Sequence, residues 1–71
     1  MREIEITSEP LELYKILKID GVVGSGGQAK MVIAEGQVLV NGAVETQKRK
    51  KIVAGDIIEF AGVSIRVRVA N

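Results

Sequence analysis

The sequence predicts an α+β fold, with two main helices packed against a small, mostly antiparallel β-sheet. Three observations lead there. Apolar and polar residues alternate at 2–7 and again at 63–69, the period of a half-buried strand. Between them, Leu11, Leu13, Tyr14, Ile16 and Leu17, then Ala29, Val32 and Ile33, recur at helical spacing. Asn41-Gly42 follows a short Val38-Leu39-Val40 run, and both residues tolerate the positive φ that a tight hairpin demands. The length of 71 residues suits one domain spanning 1–71.

In the first strand, residues 2–7, Ile4 and Ile6 point one way while Glu3 and Glu5 point the other. Ser8-Glu9-Pro10 reads as a helix start, with a hydroxyl N-cap, an acid in the first turn and an early proline. Glu12, Lys15 and Lys18 of the helix that follows are left to solvent, and Asp20-Gly21 ends it. Ser25 and Gln28 form a capping box: the serine oxygen accepts from the third helical amide, and the glutamine side chain returns to the cap amide. The second helix covers 25–35, with Ala29, Val32 and Ile33 inward and Lys30 on another face. Gly36 supplies a left-handed stop. After Val38–Val40 and the Asn41-Gly42 turn, residues 44–52 are a polar, partly extended return. Ala54-Gly55-Asp56 is a turn that Asp56 orders. Ile57–Phe60 and Val63–Val69 are the closing strands, joined at Ala61-Gly62; Val63, Ile65, Val67 and Val69 face inward, and Ser64, Arg66 and Arg68 outward.

The composition narrows the chemistry. Apolar residues make up 46% of the chain, almost all aliphatic, so a thin aliphatic core must hold the fold without staples. Tyr14 and Phe60, the two aromatics, fall in apolar patterns and are assigned to that core, which leaves almost no platform for stacking bases. There is no cysteine and no histidine, which excludes disulfides and every thiolate or imidazole metal site. Without a histidine base, none of Ser8, Ser25 and Ser64 can act in a hydrolytic triad, so a non-enzymatic protein needing no cofactor is expected. No apolar run reaches the roughly 18 residues of a membrane span, and the charged N-terminus lacks a signal peptide's apolar segment. A cytoplasmic monomer is the expectation.

Charge is where the chain becomes specific. The formal net charge is only +1, yet residues 24–53 carry Lys30, Lys48, Arg49, Lys50 and Lys51 against Glu35 and Glu45. Residues 1–23, by contrast, carry more acids than bases. Such segregation makes a local positive field that the total conceals. The Lys48-Arg49-Lys50-Lys51 run, if extended, would place Lys48 and Lys50 on one face and Arg49 and Lys51 on the other. At the second helix, the amides of Gly26 and Gly27 open toward solvent where the helix dipole favours an anion, and the missing side chains let a phosphate come close. No Gly-Lys-Ser/Thr follows, so this is not a nucleotide-binding loop. Cations, hydroxyl and amides together suit a polyanion backbone, read by shape rather than by base stacking.

The order Ser25-x-x-Gln28-Ala29-Lys30, an apolar helix, Gly36-x-Val38-x-Val40-Asn41-Gly42, basic residues, then Gly55-Asp56 resembles the S-four-type RNA-binding domain, also called the alpha-L motif. That domain recurs in bacterial tyrosyl-tRNA synthetases, pseudouridine synthases and a heat-shock protein that binds ribosomal subunits. The match covers about 11–60, and the phrase Ser25-Gly26-Gly27-Gln28-Ala29-Lys30 is most similar to the stand-alone bacterial YbcJ/YaaA-like small RNA-binding proteins. The resemblance implies a structured RNA partner, ribosomal or transfer RNA, and association with the ribosome or a subunit. It implies contacts from Ser25, Gly26, Gly27, Gln28, Lys30, Lys48, Arg49, Lys50 and Lys51, with Asn41 as a secondary contact beside its turn. Many family members carry an arginine directly after the serine; Gly26 stands there instead, so Lys30 and the run 48–51 must supply the charge. The rival reading is a protein-interaction module whose basic face binds an acidic or ribosome-associated protein.

Overall fold

Alternation in the first and last strands draws them together. In the computed structural model, which describes residues 1–70, β1 (Arg2–Ile6) lies parallel to β7 (Val63–Val69), with Ile4 opposite Val67 and Arg2 opposite Ile65. The remaining pairs are antiparallel. β7 pairs with β6 (Ile57–Phe60), β6 with β3 (Val38–Val40), and β3 with β4 (Ala43–Val44), giving the order β1-β7-β6-β3-β4. A separate two-stranded ribbon joins β2 (Leu11–Glu12) to β5 (Lys51–Ile52). The predicted α+β class and mostly antiparallel sheet stand.

Two helices cover one face. α1 (Leu13–Asp20) buries Leu13, Ile16 and Leu17, and α2 (Gly26–Ala34) buries Ala29, Val32 and Ile33. These meet Ile4, Ile6, Val38, Val40, Ile58, Ile65 and Val67 from the sheet and Ile52 from the ribbon in one aliphatic cluster. No polar or charged residue is buried as a whole among the described residues, and the enclosed Asp20 side chain, 7% exposed, is paired with Arg2. Burial of apolar area, worth about 25 cal/mol per Å², is therefore the main force holding the layers together.

Most local signals in the sequence act as read. Gly21, in the left-handed region, ends α1, and Gly36 does the same after α2 at φ 76°. Asn41 and Gly42 take φ 52° and 85°, the pattern of a two-residue hairpin turn. Asp56 accepts from the Val53 amide at 3.0 Å and so orders its turn.

The start of α1 departs from expectation. Ser8, Glu9 and Pro10 lie in the bend before β2, and the helix begins at Leu13 with Glu12 at its cap. Glu12 makes no side-chain cap bond. Instead the Leu13 N–H donates to the Lys50 carbonyl at 2.9 Å, and the Tyr14 N–H donates to the Lys48 carbonyl at 3.1 Å. The first amides of a helix need acceptors, and here distant backbone provides them. Glu9 meanwhile accepts from the Ala54 amide at 2.8 Å, tying its loop to the turn before β6.

Candidate nucleic-acid interface

The cap of α2 holds most of its expected geometry. Ser25 Oγ accepts from the Gln28 N–H at 3.1 Å. Gln28 Oε1 reaches past the cap residue and accepts from the Gly24 N–H at 2.8 Å, not from the Ser25 amide that a capping box would use. The amides of Gly26 and Gly27 find no acceptor among the described residues. A β-carbon on Gly27 would meet nothing closer than Ser25 Oγ at 3.9 Å, and one on Gly26 nothing closer than Lys18 Cδ at 3.8 Å. Neither glycine is forced by internal crowding, and neither has positive φ.

The basic run is not an extended strand. Lys48 and Arg49 form a turn, in which the Lys50 N–H donates to the Gln47 carbonyl at 3.1 Å, and only Lys51 enters β5. The premise of two alternating faces therefore fails at 48–50. All four side chains are exposed. Because Lys48 and Lys50 give their carbonyls to the first amides of α1, the turn is seated on the positive end of that helix.

α1 bridges the two predicted parts. Tyr14 is half-buried at the rim of the core, and Phe60 likewise, so neither aromatic lies within it. Lys30 of α2 sets its ammonium 4.6 Å from the Tyr14 ring centroid, a cation–π contact, while the Tyr14 N–H holds the Lys48 carbonyl. Lys15 Nζ stands 5.9 Å from the same centroid. The stem of Lys18 passes beside Gly26. Lys15 and Lys18 are exposed, as the sequence predicts. Their spacing three apart marked a shared face, but nothing in the local pattern said that this face borders α2.

Glu12 is the acid that ion-pairs within this cluster. Its Oε1 lies 3.2 Å from Lys15 Nζ and its Oε2 3.7 Å from Arg49 Nε. Lys18, Lys30, Lys48, Lys50 and Lys51 form no ion pair among the described residues. Both contacts are solvated, so each is worth at most about 1 kcal/mol, and the patch stays positive.

Two other groups are occupied elsewhere. Asn41 Nδ2 donates to Asp56 Oδ1 at 3.0 Å, and its Oδ1 accepts from the Ile57 N–H at 2.9 Å, which fastens the hairpin to the turn before β6. Arg68 lies on the open face of the sheet, 2.8 Å from Glu5 and 3.8 Å from Glu3, and Arg66 stands in register with Glu3.

The S4 domain family matches residues 4–68 of this chain. YbcJ of Escherichia coli (strain K12) is 60% identical over 57 residues, covering 80% of this chain and 81% of that protein. A Bacillus subtilis (strain 168) protein, named "Probable ribosome maturation protein RlbA", is 37% identical over 59 residues, covering 83% of each chain. The solution structure of YbcJ from E. coli, described as revealing an alpha-L motif involved in RNA-binding, superposes with a TM-score of 0.73. That match has 54% identity and covers 99% of this chain and 89% of the other. By sequence match and by fold together, the chain belongs to the S4 domain family.

Proposed function

We propose that this chain is a non-enzymatic, cytoplasmic RNA-binding protein that grips a structured RNA, ribosomal or transfer RNA, through helix 25–35 and basic segment 48–51. Ser25, Gln28 and the amides of Gly26 and Gly27 position phosphates; Lys30, Lys48, Arg49, Lys50 and Lys51 supply charge. Asn41, whose amide atoms are bonded to Asp56 and Ile57, shapes the hairpin turn at the margin of this surface and makes no direct contact. The observation that carries this reading is the double attachment of α1. It receives Lys30 against Tyr14 from one side and the carbonyls of the basic turn from the other. The relatives support RNA as the polyanion, and the name of the Bacillus subtilis relative supports a ribosomal setting. Phosphate contacts of this kind fix register and orientation, while shape supplies selectivity.

The test is a double charge reversal. Lys50→Glu with Lys51→Glu is expected to abolish RNA binding while leaving the circular dichroism spectrum unchanged, because both side chains are exposed. Retained affinity in the folded double variant contradicts the assignment. A complex that survives complete nuclease digestion points instead to an acidic protein partner.

A further inference from the structure

Glu12 is an acid set into a positive patch, and its two oxygens serve two different elements. Oε1 meets Lys15 of α1 at 3.2 Å, and Oε2 meets Arg49 of the basic turn at 3.7 Å. Its Cα partner across the β2–β5 ladder is Lys51. A carboxylate bridging two cations in this way presents them with the charge and oxygens that a phosphate diester would. Folding does not need the side chain for a cap bond, since Glu12 forms none. Nor is it buried, with its side chain 31% exposed.

We propose that Glu12 is a built-in stand-in for a backbone phosphate, which raises the threshold for generic polyanions at this surface. The inference rests on the RNA-binding reading above. With Glu12 in place, Lys15 and Arg49 are already partly neutralised, so a loosely held strand gains little from them. An RNA whose shape delivers a phosphate beside Lys15 and Arg49 displaces the carboxylate and recovers both cations. Glu12 thus acts on selectivity between RNAs and makes no favourable contact with RNA itself. A plain structural role is the competing account: an acid at the head of a helix favours the dipole. That account predicts a slightly lower Tm for a neutral variant and no change in RNA affinity.

The experiment compares the wild-type protein with Glu12→Gln on two probes, an oligouridylate of about 20 nucleotides and a folded ribosomal RNA fragment. Removing one negative charge within a few ångströms of two cations at a solvated surface is expected to tighten oligouridylate binding about three- to tenfold. The log–log salt slope should steepen by about 0.7 for each cation released to a single-stranded phosphate. The folded fragment should gain less, so the ratio between the two probes falls. Adding Lys15→Gln to Glu12→Gln should remove most of the gain, and thermal melting confirms that each variant is folded. Equal or weaker oligouridylate binding by a folded Glu12→Gln overturns the inference and leaves the RNA-binding reading standing. Failure of the wild-type protein to bind either probe overturns both.

Discussion

Gly26 and Gly27 occupy the first helical positions of α2, where alanine would fit without clash. Glycine there costs the helix roughly 0.5–1 kcal/mol relative to alanine. The arrangement makes sense if something external needs the space. Gly27→Ala is therefore expected to raise stability by up to about 1 kcal/mol in urea denaturation while weakening RNA binding about tenfold, a loss of about 1.4 kcal/mol. Unchanged affinity in this variant would mean that no phosphate approaches the tip. Asn41 sets the contrasting case. Its left-handed φ of 52° and both its amide atoms are committed to the turn. Asn41→Ala should destabilise the fold by about 1–3 kcal/mol, the range for a lost polar partner, and leave RNA affinity within about twofold, less than a tenfold change of about 1.4 kcal/mol. A large affinity loss without loss of stability would make Asn41 a direct contact.

At the scale of elements, the basic turn and α1 depend on each other. Ile52 follows the run 48–51, is fully buried, and pairs with Leu11 in the ribbon. It anchors the turn whose carbonyls receive the Leu13 and Tyr14 amides. Ile52→Ala is expected to cost about 2–5 kcal/mol, a large share of the roughly 5–15 kcal/mol typical of a small domain. Hydrogen exchange at the Leu13 and Tyr14 amides should accelerate more than at Ile33. Equal acceleration throughout would mean that the ribbon is not a separate anchor. This dependence also explains what could be read from the sequence. Gly36, Ser25 and the Asp56–Val53 bond act within a few residues, and Asn41-Gly42 acts through its own backbone angles, so these signals are local and legible, whereas the bonds from Asn41 to Asp56 and Ile57 are not. The helix start suggested by Ser8-Glu9-Pro10 misled because the true first amides are satisfied by carbonyls some 35 residues away in the chain, at Lys48 and Lys50. The contact of Lys30 with Tyr14 likewise exists only once α1 and α2 pack.

Across the whole molecule, charge divides between the two sides of a thin fold. The helical side and its basic turn carry Lys15, Lys18, Lys30, Lys48, Arg49, Lys50 and Lys51, seven of the ten cations. On the open face of the sheet, Arg68 is matched by Glu3 and Glu5. A formal net charge of +1 thus hides a surface able to hold a polyanion. If all five proposed cations meet phosphates, the log–log salt slope should approach about −3.5 to −4.5, at 0.7 to 0.9 per contact. The most direct measurement is an amide chemical-shift titration of the labelled protein with a folded ribosomal RNA fragment. The account predicts that Gly26, Gly27, Lys30 and residues 48–51 shift together, saturating at one concentration, while Glu59, Ser64 and Arg66 stay still. Shifts confined to the sheet face, or to the helix tip without the basic turn, would contradict it.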